Sequence, residues 1–320
     1  MRRLALALAV ILGAQLFFAA PAHAANNMVY IDGTVLHISG QLYPMHATVR
    51  MSGSSFVVDN DLGILTGSGC AHGADVTIAI CTGTVTYVMY DGSPSADLMD
   101  YWTPTPAELR GGAGNDELWG GDGVDLIVGG AGNDVLHGWS GEDRLFGEAG
   151  NDSIFGEAGA DTVAGGSGDD NLSGGTDIDC ASYEDHTASV TADLDGAVGD
   201  DGSAGEADTI PSDVECLVGG DGNDWLIGDG FDNLIEGGGG SDVLWGLGGS
   251  DKLAGESSIV SGGVPGNDWL YGGPGDDWLL GNEGDDQLFG EDGFDLLEGF
   301  AGIDHCDVGA GGGTTSSCES

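Results

Sequence analysis

A nine-residue period governs this chain. From Gly111 the sequence reads GGAGNDELW, GGDGVDLIV, GGAGNDVLH, GWSGEDRLF, GEAGNDSIF, GEAGADTVA, GGSGDDNLS and GGTDIDCAS without slipping. With each unit numbered one to nine, position one is glycine, position four is glycine in all but the last unit, where Asp177 stands, and position six is aspartate. Those aspartates are Asp116, Asp125, Asp134, Asp143, Asp152, Asp161, Asp170 and Asp179. Position eight carries Leu118, Ile127, Leu136, Leu145, Ile154, Val163 and Leu172, then lapses to Ala181. A second run, GGDGNDWLI, GDGFDNLIE, GGGGSDVLW and GLGGSDKLA, starts at Gly219 and supplies Asp224, Asn233, Asp242 and Asp251. The unit GESSIVSGG follows, with Ser258 and Val260 in place of the glycine and the carboxylate, and the phase resets at Gly263. The third run, GVPGNDWLY, GGPGDDWLL, GNEGDDQLF, GEDGFDLLE and GFAGIDHCD, supplies Asp268, Asp277, Asp286, Asp295 and Asp304.

Each position answers a physical demand. The glycines permit backbone angles and close approaches that a Cβ obstructs, so the first six residues read as a tight turn. The last three read as a very short strand whose position-eight side chain points inward. One unit cannot bury a single aliphatic side chain, but stacking can. Two units then make one 18-residue coil, unit n lies on unit n+2, and position eight forms two facing interior columns. At the strand spacing, roughly nine such coils give a rod about 40 to 45 Å long. The expected fold is all-β: a parallel β-roll with a small N-terminal β cap.

Stacking also brings position-six carboxylates of successive coils together, as with Asp116 and Asp134, and like charges at that distance oppose folding. A hard dication between turns cancels the repulsion and accepts oxygens from the aspartates and from the turn carbonyls. That donor set suits Ca²⁺, whereas Mg²⁺ demands a more rigid cage and sheds water reluctantly. All sixteen position-six aspartates are therefore expected as ligands.

The chain resembles the RTX, or hemolysin-type, calcium-binding repeat proteins. The resemblance covers residues 111–183 and 219–308 and implies a calcium-loaded β-roll that folds outside the cell. Asn233 with Phe231, Val260 with Ser258, and Asp177 depart from the family's unit. Many members are toxins, proteases or lipases with an uncleaved C-terminal export signal. This chain is more similar to the exported members that lack a catalytic domain.

Export is also read from the start of the chain. Arg2 and Arg3, the apolar run LALALAVILGAQLFFAA and Ala22-His23-Ala24 form a cleavable leader over residues 1–24. No later stretch is long and apolar enough to span a bilayer as a helix, so a secreted or cell-surface location is expected. Without the leader, Arg50, Arg110, Arg144 and Lys252 face 54 carboxylates. Such a surface repels nucleic acid and anionic lipid. Its strict register argues against the disorder that strong acidity otherwise favours.

Residues 25–110 alternate apolar and polar residues in short bursts between glycine-containing turns, which reads as a β module covering the rod's N-terminal end. Residues 184–218 interrupt the array and read as an outward excursion whose GDDGSAGEAD stretch is an acidic loop suited to a further cation. Residues 309–320 read as a closing tail. The six cysteines fit an oxidising compartment. Their pairing is left open by the sequence, although Cys70 with Cys81, Cys180 with Cys216 and Cys306 with Cys318 suggest themselves as local staples.

No constellation asks for catalysis. H-E-x-x-H, G-x-S-x-G and a phosphate loop are missing from the sequence, and the histidines are scattered. The expectation is a calcium-binding structural or surface protein rather than an enzyme. The alternative is a calcium-rigidified adhesin for a glycan or protein, using tryptophans at outward positions: Trp225, Trp269 and Trp278 at seven, Trp119 and Trp245 at nine. Against it stands packing of those rings across neighbouring strands.

Overall fold

The computed structural model describes residues 28–40, 46–60, 65–66, 68–72, 78–256 and 265–319. The leader and the Ser258 to Gly263 stretch lie outside them.

Position eight builds the interior. Leu118, Ile127, Leu136, Leu145, Ile154, Val163 and Leu172 are fully buried, while their neighbours at seven and nine are exposed or partly covered, with Ala164 the buried exception. Each short strand pairs in parallel with the strand one coil away. On one face Ile127 pairs with Leu145 and Leu145 with Val163; on the opposite face Leu118 pairs with Leu136 and Leu136 with Ile154. Successive units alternate between the faces, so the chain winds as a β-roll. One face is a single 15-stranded sheet, and the other is divided into sheets of nine and seven strands.

Coiling begins well before Gly111. Tyr87–Asp91 pairs in parallel with Ala107–Ala113, and Leu98–Trp102 with Glu117–Gly121. Val35–Ser39 and His46–Ser52 add a further coil beneath them. Stacking requires only an inward apolar side chain, and Leu36, Val49, Val88, Met99 and Leu109 supply it without the glycine turn. Antiparallel neighbours then cover the end: Met28–Asp32 against Val35–Ser39, and Ser55–Asn60 between His46–Ser52 and Ile78–Thr82.

Residues 184–218 are not a simple outward excursion. Val190, Ala192, Leu194, Ile210 and Val214 are buried in the core. Val190–Asp193 starts the seven-stranded sheet by pairing with Trp225–Ile227, and Thr209 bridges to Asn171 at the end of the nine-stranded one. Five apolar side chains that join the same core cluster as the position-eight residues make burial the favourable arrangement. On the long sheet Cys180–Ser182 pairs directly with Cys216–Val218.

The stretch read as a unit around Val260 lies outside the described residues, but its neighbours fix the spacing across it. Asp242 stacks on Asp268 and Asp251 on Asp277 at a separation of 26 residues, where neighbouring coils repeat at 18. One turn, between Gly255 and Asp268, is therefore eight residues longer, and neither strand ladder loses a rung. Three disulfides join Cys70 to Cys81, Cys180 to Cys216 and Cys306 to Cys318. The first two link residues directly opposite in adjacent strands.

Candidate metal-binding turns

Each position-six aspartate closes a turn and reaches the turn before it. One carboxylate oxygen accepts a backbone N–H one coil earlier, in most cases that of an aspartate, as with Asp134 from Asp116 at 2.7 Å, Asp152 from Asp134 at 2.7 Å, Asp143 from Asp125 at 2.7 Å and Asp161 from Asp143 at 2.8 Å, while Asp125, Asp224 and Asp251 accept from Ala107, Val190 and Asn233. The pattern continues through Asp242, Asp268, Asp286 and Asp304 on one edge and through Asp251, Asp277 and Asp295 on the other. The second oxygen turns toward the first glycine of its own unit. A Cβ on Gly111 would lie 2.3 Å from Asp116 Oδ2, so position one has no room for a side chain. Position four is closed by the neighbouring coil: a Cβ on Gly132, at φ +138°, would lie 1.7 Å from the Gly114 carbonyl oxygen.

That second oxygen is the informative atom. In Asp116, Asp125, Asp134, Asp143, Asp152, Asp161, Asp170 and Asp179, and again in Asp242, Asp251, Asp268, Asp277, Asp286, Asp295 and Asp304, Oδ2 is buried without a hydrogen-bond partner. Asp224 differs, because its Oδ2 accepts the Gly220 N–H at 2.8 Å. Desolvation pushes Asp125, Asp242 and Asp268 up to about 8 and Asp116, Asp143, Asp152 and Asp179 to about 7. The accepted backbone N–H pulls the other way, and a neighbouring ladder carboxylate adds to the rise. A buried oxygen with no partner costs about 1–3 kcal/mol, and more when charged. The gaps between turns thus hold stacked carboxylates and glycine-turn carbonyls, an all-oxygen donor set with no amine or thiol, which fits a hard divalent cation of the size of Ca²⁺.

All sixteen aspartates picked from the sequence stand in these ladders. Asn233 stands there too: its N–H donates to Asp251 Oδ1 at 2.8 Å and its own Oδ1 accepts from Asp229, so that rung carries an amide in place of a charge. Four further carboxylates join the ladders outside the counted units. Asp97 donates its N–H to Asp116, while Asp208 accepts from Asp170, Glu215 from Asp179 and Glu319 from Asp304. Three of them had a signal, since Asp97-Leu98-Met99, Asp208-Thr209-Ile210 and Glu215-Cys216-Leu217 repeat the carboxylate, spacer and inward apolar order of a unit's second half. In the acidic stretch of the interruption, oxygens of Asp193, Asp195 and Asp200 lie within 4.8 Å of one another, with Asp195 and Asp200 exposed.

The tryptophans divide by position. At position nine Trp119 stacks on His137, with centroids 3.7 Å apart, and on Trp102, while Trp245 stacks on Tyr271 at 4.2 Å. At position seven Trp225, Trp269 and Trp278 stay 49%, 45% and 41% exposed.

A scan against protein families matches the RTX calcium-binding nonapeptide repeat at residues 108–136, 119–154, 137–172, 146–179, 218–253, 262–297 and 280–314, which together span half of the chain. No curated protein matches. Among the described residues no helix is long and apolar enough to cross a membrane.

Proposed function

The chain belongs to the RTX calcium-binding nonapeptide repeat family, whose repeats are scaffolds rather than catalytic units, and from that premise we propose an exported structural or surface protein that calcium completes. The observation that carries this reading is the row of buried carboxylate oxygens with no partner. Bound Ca²⁺ supplies the positive charge and the coordination that those oxygens lack. The sixteen position-six aspartates hold it from two successive turns at once, with glycine-turn carbonyls completing the shell. Each aspartate also orients the turn before it through the accepted backbone N–H, so ligand geometry and coil stacking form together. Export rests on the leader read at residues 1–24, and an extracellular site, where calcium is abundant and disulfides persist, suits both the ladders and the three cystines.

Far-UV circular dichroism of the mature chain during calcium titration, with magnesium as control, tests this. The expected result is a largely unfolded chain in chelator that gains β signal cooperatively in the micromolar to millimolar range of such sites. A chain equally folded in chelator overturns it.

The exposure of Trp225, Trp269 and Trp278 supports a second reading, a calcium-rigidified adhesin for a glycan or protein. Trp225 and Trp269 lie on the seven-stranded sheet and Trp278 on the opposite face, so at most two of them share one platform. Binding of the calcium-loaded protein to a glycan array, lost in Trp225→Ala with Trp269→Ala, would favour it. Silence of the array, with no partner drawn from cell surfaces, would count against it.

A further inference from the structure

Where the nine-stranded sheet gives way to the seven-stranded one, the buried carboxylates are satisfied by the protein itself. Asp201, Asp208 and Asp224 are as buried as the aspartates of the arrays, yet both oxygens of each accept a hydrogen bond. Asp208 accepts the Asp170 N–H at 2.9 Å and the Tyr183 hydroxyl at 3.2 Å. Asp201 accepts the Asp193 and Ile210 N–H groups at 2.7 and 3.2 Å, and Asp224 those of Val190 and Gly220 at 2.9 and 2.8 Å. A cation stands among them as well. His186, with its side chain 9% exposed, packs edge-on against Tyr183 and places Nδ1 2.9 Å from Asp185 Oδ1 and Nε2 3.2 Å from Glu206 Oε2. Carboxylates only accept, so both ring nitrogens donate and the imidazole is charged. The hydrogen bond to Asp185 pushes His186 up to about 9 against desolvation, and the charges of Asp185 and Glu206 add to the rise. Desolvation raises Asp170 and Asp224, the aspartates on either side of the break, and the His186 charge opposes both rises. The His186 carbonyl accepts the Asp221 N–H at 2.8 Å, which ties it to the first turn of the second run.

We propose that residues 183–224 form a calcium-independent joint, in which Tyr183, His186 and backbone N–H groups take the part that calcium takes between the turns of the arrays, and from which the roll folds outward in both directions as calcium arrives. Val190, Ala192, Leu194, Ile210 and Val214 give the joint buried apolar side chains of its own, and the Cys180–Cys216 disulfide closes it on the long sheet. A stacked array can start at any rung that is stable ahead of its neighbours and grow along the rod. The inference rests on the reading that calcium fills the ladders on either side, and it names the place where folding starts.

Hydrogen exchange of the mature chain in chelator near neutral pH, read by mass spectrometry, tests the joint. Peptides holding the Val190, Asp193, Ile210 and Gly220 amides are expected to exchange about tenfold or more slowly than peptides holding the Asp134, Asp143, Asp268 and Asp286 amides, and calcium titration is expected to extend protection from the joint into both runs. Equal exchange overturns the joint. If all of these amides are unprotected in chelator, the ladder reading survives; if all are protected, the ladder reading falls as well, which separates the two failures. His186→Gln removes the charge and is expected to speed exchange of the joint in chelator by about tenfold, whereas His137→Gln, within the first array, is expected to leave the joint as it is in the parent. If His186→Gln does not fold in saturating calcium, Tyr183→Phe, which removes only the hydroxyl that Asp208 accepts, is read in its place. Parental exchange of the joint in the variant read overturns the role given to these side chains.

Discussion

At the scale of single residues, the glycines divide into those that a coil cannot replace and those that only mark the motif. Gly132 combines φ +138° with a neighbouring carbonyl 1.7 Å from where its Cβ would stand, whereas Gly230 has nothing within 4 Å. Gly132→Ala must push two stacked turns apart and move carbonyls that face the gap between them. It is expected to cost about 2–4 kcal/mol and to raise the calcium concentration needed for folding. Gly230→Ala is expected to stay within about 0.5 kcal/mol of the parent. Thermal unfolding at fixed calcium compares them, and equal melting temperatures would mean that the turns tolerate a separation this geometry forbids. Position two shows that not every constraint is written as glycine. Trp139, Glu148, Glu157, Leu247, Asn282, Glu291 and Phe300 all hold positive φ there, so the turn imposes a left-handed backbone even on residues that pay for it with strain.

At the scale of the strand, stability resides in one inward side chain per rung. Leu145 is fully buried between Ile127 and Val163, while its neighbour Arg144 faces out over the Phe146 ring at 5.3 Å. Leu145→Ala is expected to cost about 2–5 kcal/mol and Arg144→Ala less than about 1 kcal/mol, both read by thermal unfolding in calcium. A larger loss at Arg144 would place the stability on the outer face. The same economy explains what could be read from the chain. Where a unit carries glycine at one and four, aspartate at six and an aliphatic residue at eight, four demands coincide within nine residues, and coil, face and ligand candidate are legible together. Toward the N-terminus only the inward residue persists, as Val88, Met99 and Leu109, and Asp97 stands 19 residues from Asp116 instead of 18, so the coils there show only as generic β alternation. Asp208 and Glu215 were hidden by distance, at separations of 38 and 36 residues from their ladder neighbours. The longer connection reads as a unit because glycines bracket GESSIVSGG, although Asp242 and Asp268 on either side of it are 26 rather than 18 residues apart.

At the scale of the whole molecule, the ladders make folding a contest among protons, calcium and repulsion. The chain carries a formal charge of −48, and desolvation pushes three of its buried ladder carboxyls, Asp125, Asp242 and Asp268, up to about 8 in the metal-free roll. In the unfolded chain an aspartate titrates near 3.9. The metal-free roll therefore holds protons that the unfolded chain releases. Their contribution to stability is complete below about pH 4 and is lost as pH rises through the folded values near 6 to 8. Calcium inverts the dependence, because it competes with protons for the same oxygens and binds better as they leave. In chelator, the mature chain is expected to gain β signal when pH is lowered from 8 to about 4.5, and the calcium concentration at the folding midpoint is expected to fall as pH is raised from 6 to 8. Circular dichroism in both series checks the pair. A metal-free chain as unfolded at pH 4.5 as at pH 8 would show that neutralising the carboxylates is not enough, and that calcium acts by tying successive turns together rather than by cancelling their charge.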